Sequence, residues 1–148
     1  MNQKINPEQA YRTLAIIWAA LLSSQFMFLV IIFFSKPEIL RFDFNKPLLG
    51  ENAVLIIAFA ALAIANFALS FIMKKRSYEQ GITEQKIAYI QTGLILACAF
   101  CEAISLLGIV LAFAFSYQYF FAWSALGILG IILHFPRRND VLAASYKK

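Results

Sequence analysis

The chain has 148 residues, of which 61% are hydrophobic and 14% charged, with a formal net charge of +5. Soluble domains average roughly 45–50% apolar and about 25% charged residues, whereas mean hydropathy here is +0.72. An ordinary soluble enzyme, a disordered tail and a disulfide scaffold are excluded. What remains is an all-α integral membrane protein.

A spanning helix needs about 20 mostly apolar residues. No Lys, Arg, Asp or Glu lies between Arg12 and Lys36 or between Glu51 and Lys74, and only Glu102 lies between Lys86 and Arg137. Four spans are predicted, over about 11–34, 52–73, 88–115 and 117–135, forming one membrane domain with a four-helix bundle. Pro7, Pro37, Pro47 and Pro136 all fall at or outside the predicted ends, as unbroken helices require. The apolar runs are too long and too uniform for transmembrane strands. The first exceeds a signal-peptide core and lacks a small-x-small exit, so it is expected to be retained.

Four spans put the two termini and the middle loop on one side. That side carries Lys4, Arg12, Lys74, Lys75, Arg76, Lys86, Arg137, Arg138, Lys147 and Lys148, and the other only Lys36, Arg41 and Lys46. Ten basic residues against three place both termini in the cytoplasm. Topology therefore accounts for the basic charge without a nucleic-acid partner. The expected partners are the lipid bilayer and either further copies of the chain or a larger membrane complex.

In chain order, residues 1–10 form a polar lead, and the first helix carries Phe26, Phe28, Phe33 and Phe34 in its outer half. Residues 35–50 are expected to lie along the interface. The second helix is rich in alanine. Ala61 and Ala65, four apart, form a small-residue pair that would let a neighbouring helix approach closely. Residues 74–86, KKRSYEQGITEQK, are expected to be a charged loop with its turn at Gly81, and Thr83 is a candidate N-cap for the third helix. A very short turn near Ser116 and Gln118 makes the third and fourth helices antiparallel neighbours. Tyr117, Tyr119 and Trp123 suit the outer aromatic belt. Gly108, Gly127 and Gly130 offer close packing, and the last helix should stop at HFPRR.

Glu102 is the residue most suggestive of chemistry. At 1.5 Å per residue from Ile87 it lies about 22 Å into its helix, near the bilayer midplane. A charged, unpaired carboxyl there costs several kcal/mol, so desolvation favours the neutral acid. Helical spacing places Gln91, Cys98, Glu102 and Ser105 on one stripe. Gln25 in the first helix falls at a similar depth, with Ser23 and Ser24 beside it, so a Gln25–Glu102 hydrogen bond is expected. Asn66 is a poorer partner, nearer the cytoplasmic end. Glu102, Gln25 and Ser105 are thus the candidate ion-binding residues.

Cys98 and Cys101 form a C-x-x-C, but far from any helix start that would activate a thiol; both are expected to pack as small apolar residues. Two cysteines and one histidine fall short of a zinc site. His134 is expected to snorkel at the cytoplasmic interface. No phosphate loop, Ser-His-Asp set or paired carboxylates are present, so no metal or cofactor is expected.

The stretch ACAFCEAISLLGIVLAFAF resembles the acid-bearing helix of the rotary ATP synthase c subunit, the proteolipid family. Glu102 is followed by Ala103, an apolar run and Gly108. A small-residue helix and a polar basic loop precede it, so the resemblance covers residues 52–115. It implies that Glu102 binds and releases a proton or sodium ion, in a bacterial plasma membrane with the polar loop cytoplasmic. The leading reading is a non-enzymatic accessory or oligomer-forming subunit in which Glu102 is a packing or ion-binding site. The alternatives are an ion-translocating subunit and a small membrane enzyme.

Overall fold

The computed structural model describes residues 6–41, 43, 45–50 and 52–145. Of the basic residues in the charge count, Lys4, Lys147 and Lys148 lie outside them. The fold is all-α, with α1 over Pro7–Ser35, α2 over Ala53–Thr83, α3 over Ile87–Phe115, α4 over Phe121–Leu133 and α5 over Arg138–Ser145.

Local chemistry sets the ends. Asn6 caps α1, its side chain accepting from Glu8 N at 3.0 Å, and Pro7 stands in the first turn, where its missing N–H costs nothing. Lys36-Pro37 ends α1, because the residue before proline avoids helical geometry. Lys36 then reaches across the bundle, Nζ donating to Phe113 O at 2.8 Å. A cation is thereby set on the carbonyl end of α3, where the helix dipole favours it.

Charged residues 74–83 are not a loop. They continue α2 through Thr83, aided by the Lys75–Glu79 pair four residues apart. Gly81 is helical and buried, not a turn residue. A Cβ there would lie 3.0 Å from Ile90 Cδ1 and 3.2 Å from Lys86 O, so its small size admits the start of α3. Thr83 is no N-cap; its hydroxyl donates back to Glu79 O at 2.9 Å. The turn is Glu84–Lys86, with Gln85 in the left-handed region at φ 52. In this exposed turn Gln80 and Lys86 hydrogen-bond Glu84 and hold its carboxyl below its ordinary range.

The turn from α3 to α4 is as short as expected, with Ser116 at φ 48 and one 3-10 turn over Gln118–Phe120. α4 itself has 13 residues, about 20 Å of helix, less than the roughly 30 Å hydrocarbon core. Pro136 breaks the path beyond it, and the Gln118–Leu133 and Arg138–Ser145 segments are bent by 49°. The structure therefore has three helices long and apolar enough to cross a membrane, or four if that bent pair is one span.

α3 is the central element: 44% of its most apolar window is buried, against 11% for α1 and 17% for α2. α2 packs along one side of it through Ile56, Ala63 and Phe67. α4 packs on another side, and α1 sits over the α3–α4 pair through Leu14, Gln25 and Ile32. Ala61 and Ala65 are exposed on α2. Two residues from either is Ala63, 200° round the helix and 3% exposed, and it makes the contact instead.

Two ties join α1 to the opposite end of the chain. Trp18 Nε1 donates to Ile131 O at 2.7 Å, and its ring meets Phe135 edge-on at 4.9 Å. Arg138 pairs with Glu8 at 2.8 Å on the surface. We expect Trp18→Phe to cost about 1 kcal/mol, the worth of the lost hydrogen bond. Glu8→Ala should change stability by under about 1 kcal/mol, since both partners are hydrated. Thermal unfolding in micelles would separate the two.

Candidate functional site around Glu102

α3 is covered on three sides and bare on the fourth. Thr92, Ile95, Ala99, Leu106, Val110 and Phe113, spaced three, four or seven apart, are all exposed. They form one uncovered face, and Glu102 stands at its edge, half-buried, where α1 meets α3.

Its partner is Ser24, whose Oγ is hydrogen-bonded to Glu102 Oε1. Ser24 Oγ also lies 2.7 Å from Leu21 O. One hydroxyl proton serves one acceptor at a time. Ser24 Oγ thus links Glu102 Oε1 to the backbone of α1. Among the described residues, Glu102 has no other hydrogen-bond partner.

The expected Gln25–Glu102 bond is not formed. Gln25 is 1% exposed, and neither its Nε2 nor its Oε1 has a partner among the described residues. Gln25 and Ser24 share nearly the same depth, but one residue is 100° of helix rotation. Ser24 therefore faces the α1–α3 edge while Gln25 points into the bundle. Ser105 is also buried, its hydroxyl without a hydrogen-bond partner among the described residues, and packs against Gly127 of α4. Asn66 donates back to Leu62 O at 2.8 Å and does not reach Glu102.

Gly108 and Gly127 lie buried in the α3–α4 seam. A Cβ at Gly108 would come within 2.8 Å of Trp123 Cβ. Cys98 and Cys101 are free and fully buried, Cys98 one turn of α3 before Glu102 and Cys101 next to it in sequence.

His134 does not snorkel. It is 1% exposed, with Nε2 at 2.9 Å from Ser70 Oγ and its ring against Phe71 at 4.5 Å. Lys74 Nζ donates to His134 O at 3.2 Å and covers the Tyr78 ring at 5.2 Å. The apolar path of α4 carries the imidazole beneath α2 before Pro136 turns the chain. No group of three or more His, Cys, Asp or Glu side chains able to hold a metal occurs among the described residues.

At the far end, the segment after α1 is strapped over the α3–α4 turn. Gln118 Nε2 donates to Asp43 O at 2.7 Å, Tyr117 OH to Leu48 O at 2.9 Å and Tyr119 OH to Lys46 O at 2.9 Å. An open cleft of about 560 Å³ lies beneath the strap, lined by Lys46, Asn52, Tyr117 and Tyr119 among others.

Comparison with protein-family models, curated proteins and solved structures returns no match.

Proposed function

We propose that the chain is a small multi-pass membrane protein with both termini in the cytoplasm, serving as a non-enzymatic subunit that associates with further copies of itself. Glu102 at the edge of the uncovered α3 face is the observation that carries this reading. A carboxyl in hydrocarbon is costly unless its oxygens are satisfied, and Ser24 satisfies only one of them. Lipid tails offer no hydrogen bond, whereas a second chain can. The exposed alanines of α2, including Ala61 and Ala65, offer further close contact of the kind helices use in bilayers. Described basic residues support the orientation: Lys74, Lys75, Arg76, Lys86, Arg137 and Arg138 gather at one end of the bundle, and Lys36, Arg41 and Lys46 at the other.

Photobleaching of singly labelled chains in bilayers at high lipid dilution tests this. More than one bleaching step per particle is expected for the wild type, and a shift toward single steps for Glu102→Leu. Single steps throughout for the wild type would reject self-association.

A second reading, ion translocation, is favoured by one feature. α2 and α3 form an antiparallel hairpin with a polar turn and a mid-helix acid, the arrangement behind the resemblance to proteolipid c subunits. It predicts proton or sodium flux in proteoliposomes that Glu102→Gln abolishes. The subunit reading predicts no flux from either protein and normal assembly of the Gln variant.

A further inference from the structure

Three buried polar side chains, one each on α1, α3 and α4, have no hydrogen-bond partner among the described residues. Gln25 is 1% exposed, Ser105 1% and Ser124 4%. Gln25 Nε2 and Oε1, Ser105 Oγ and Ser124 Oγ all lack a hydrogen bond among the described residues.

The helix registers bring them to one level. α1 and α4 run antiparallel, and Trp18 bonds Ile131 O. Seven residues outward on α1 is Gln25, and seven residues back on α4 is Ser124. Each step is two turns, so each keeps the same helix face and rises about 10 Å. α1 and α3 run parallel, with Ile32 clustered with Ala112, and Leu29 and Ile109 packed against them. The same offset of 80 residues pairs Gln25 with Ser105. Ser105 in turn abuts Gly127, one turn of α4 from Ser124. The seam is lined here by small residues of α4, Ser124 and Gly127.

Four unpartnered polar atoms in a membrane interior are expensive, at several kcal/mol for each unsatisfied group in hydrocarbon. Buried waters are found where such groups cluster, and typically make two to four hydrogen bonds. Gln25 offers both a donor and an acceptor, and each serine offers both. We propose that Gln25, Ser105 and Ser124 form an internal water-binding site between α1, α3 and α4, one turn of α3 outward from Glu102. The site is a property of the bundle interior and does not depend on Glu102 carrying an ion.

Water-edited solid-state NMR on the full chain in lipid bilayers, with glutamine side chains labelled with nitrogen-15, reads the site directly. The Gln25 side-chain amide is expected to receive magnetisation from water, with the exposed Gln80 amide as the positive control. In a Ser105→Ala, Ser124→Ala double variant this transfer is lost at Gln25 and kept at Gln80, with backbone spectra unchanged. A wild-type Gln25 amide that receives no transfer while Gln80 does would overturn the proposal, because the three side chains would then be bonded directly or dry. Transfer that survives in the double variant would overturn it equally, since the serines would not be holding the water.

Discussion

Gly127→Val is expected to unseat α4 from α3, with a loss of about 1–3 kcal/mol or more. A Cβ at this position would fall 2.2 Å from Ser105 Oγ and 2.7 Å from Cys101 O. The serine hydroxyl can rotate. The Cys101 carbonyl is backbone, and it moves only if the middle of α3 moves with it. Valine adds two methyl groups to a contact that already excludes one. Relief by Ser105→Ala should therefore be partial. Ala20→Val is the control: its Cβ is already present on an exposed face of α1, and such substitutions stay within about 0.5 kcal/mol. Thermal unfolding in micelles should show a clear fall for the first variant and almost none for the second.

Glu102→Lys is expected to be as damaging, for an electrostatic reason. A lysine at the centre of a spanning helix costs about 2.5–3.5 kcal/mol on insertion scales. Glu102 is fifteen residues from the start of α3 and thirteen from its end, so either end is about 20 Å away. A lysine stem cannot snorkel that far. The ammonium also cannot accept a hydrogen bond from Ser24. Glu102→Gln should stay near the wild type in stability, because its amide oxygen can accept from Ser24 Oγ as the carboxyl oxygen does. The fraction of chain inserted and folded in bilayers, compared across the two variants, reads this contrast. Equal insertion of the Lys and Gln variants would mean that the position is hydrated.

Much of the architecture is legible in the sequence because hydropathy acts over whole helices. The apolar runs, the proline positions and the short α3–α4 turn are local signals. Hydropathy is silent where a helix leaves the apolar stretch, so α2 continues through KKRSYEQGIT without announcing it. Alanine content cannot reveal which face of α2 packs either, since lipid is as apolar as a neighbouring helix; Ala63 packs, while Ala61 and Ala65 do not. The site shows the same limit more sharply. Glu102 is conspicuous as an isolated charge, and residue counting finds α1 at its depth. Choosing Ser24 over Gln25 takes the rotation of α1, which only tertiary packing fixes. His134 and Ser70 lie 64 residues apart in sequence, and Gln25, Ser105 and Ser124 lie on three different helices. No local pattern encodes the His134–Ser70 meeting or the shared level of the three buried polar groups.

Glu102 stands at the edge of an uncovered, apolar face of α3 and not in a closed core. Carbodiimide labelling of the folded protein, read by peptide mass spectrometry across pH, tests that placement most directly. A lipid-soluble carbodiimide should modify Glu102, more as pH falls, while a water-soluble one should modify exposed carboxylates such as Glu79 and leave Glu102 untouched. Protection by sodium would add the ion-binding reading. Glu102 unlabelled by the lipid-soluble reagent at every pH, in protein shown to be folded, would contradict the account: the carboxyl would be sealed inside the bundle.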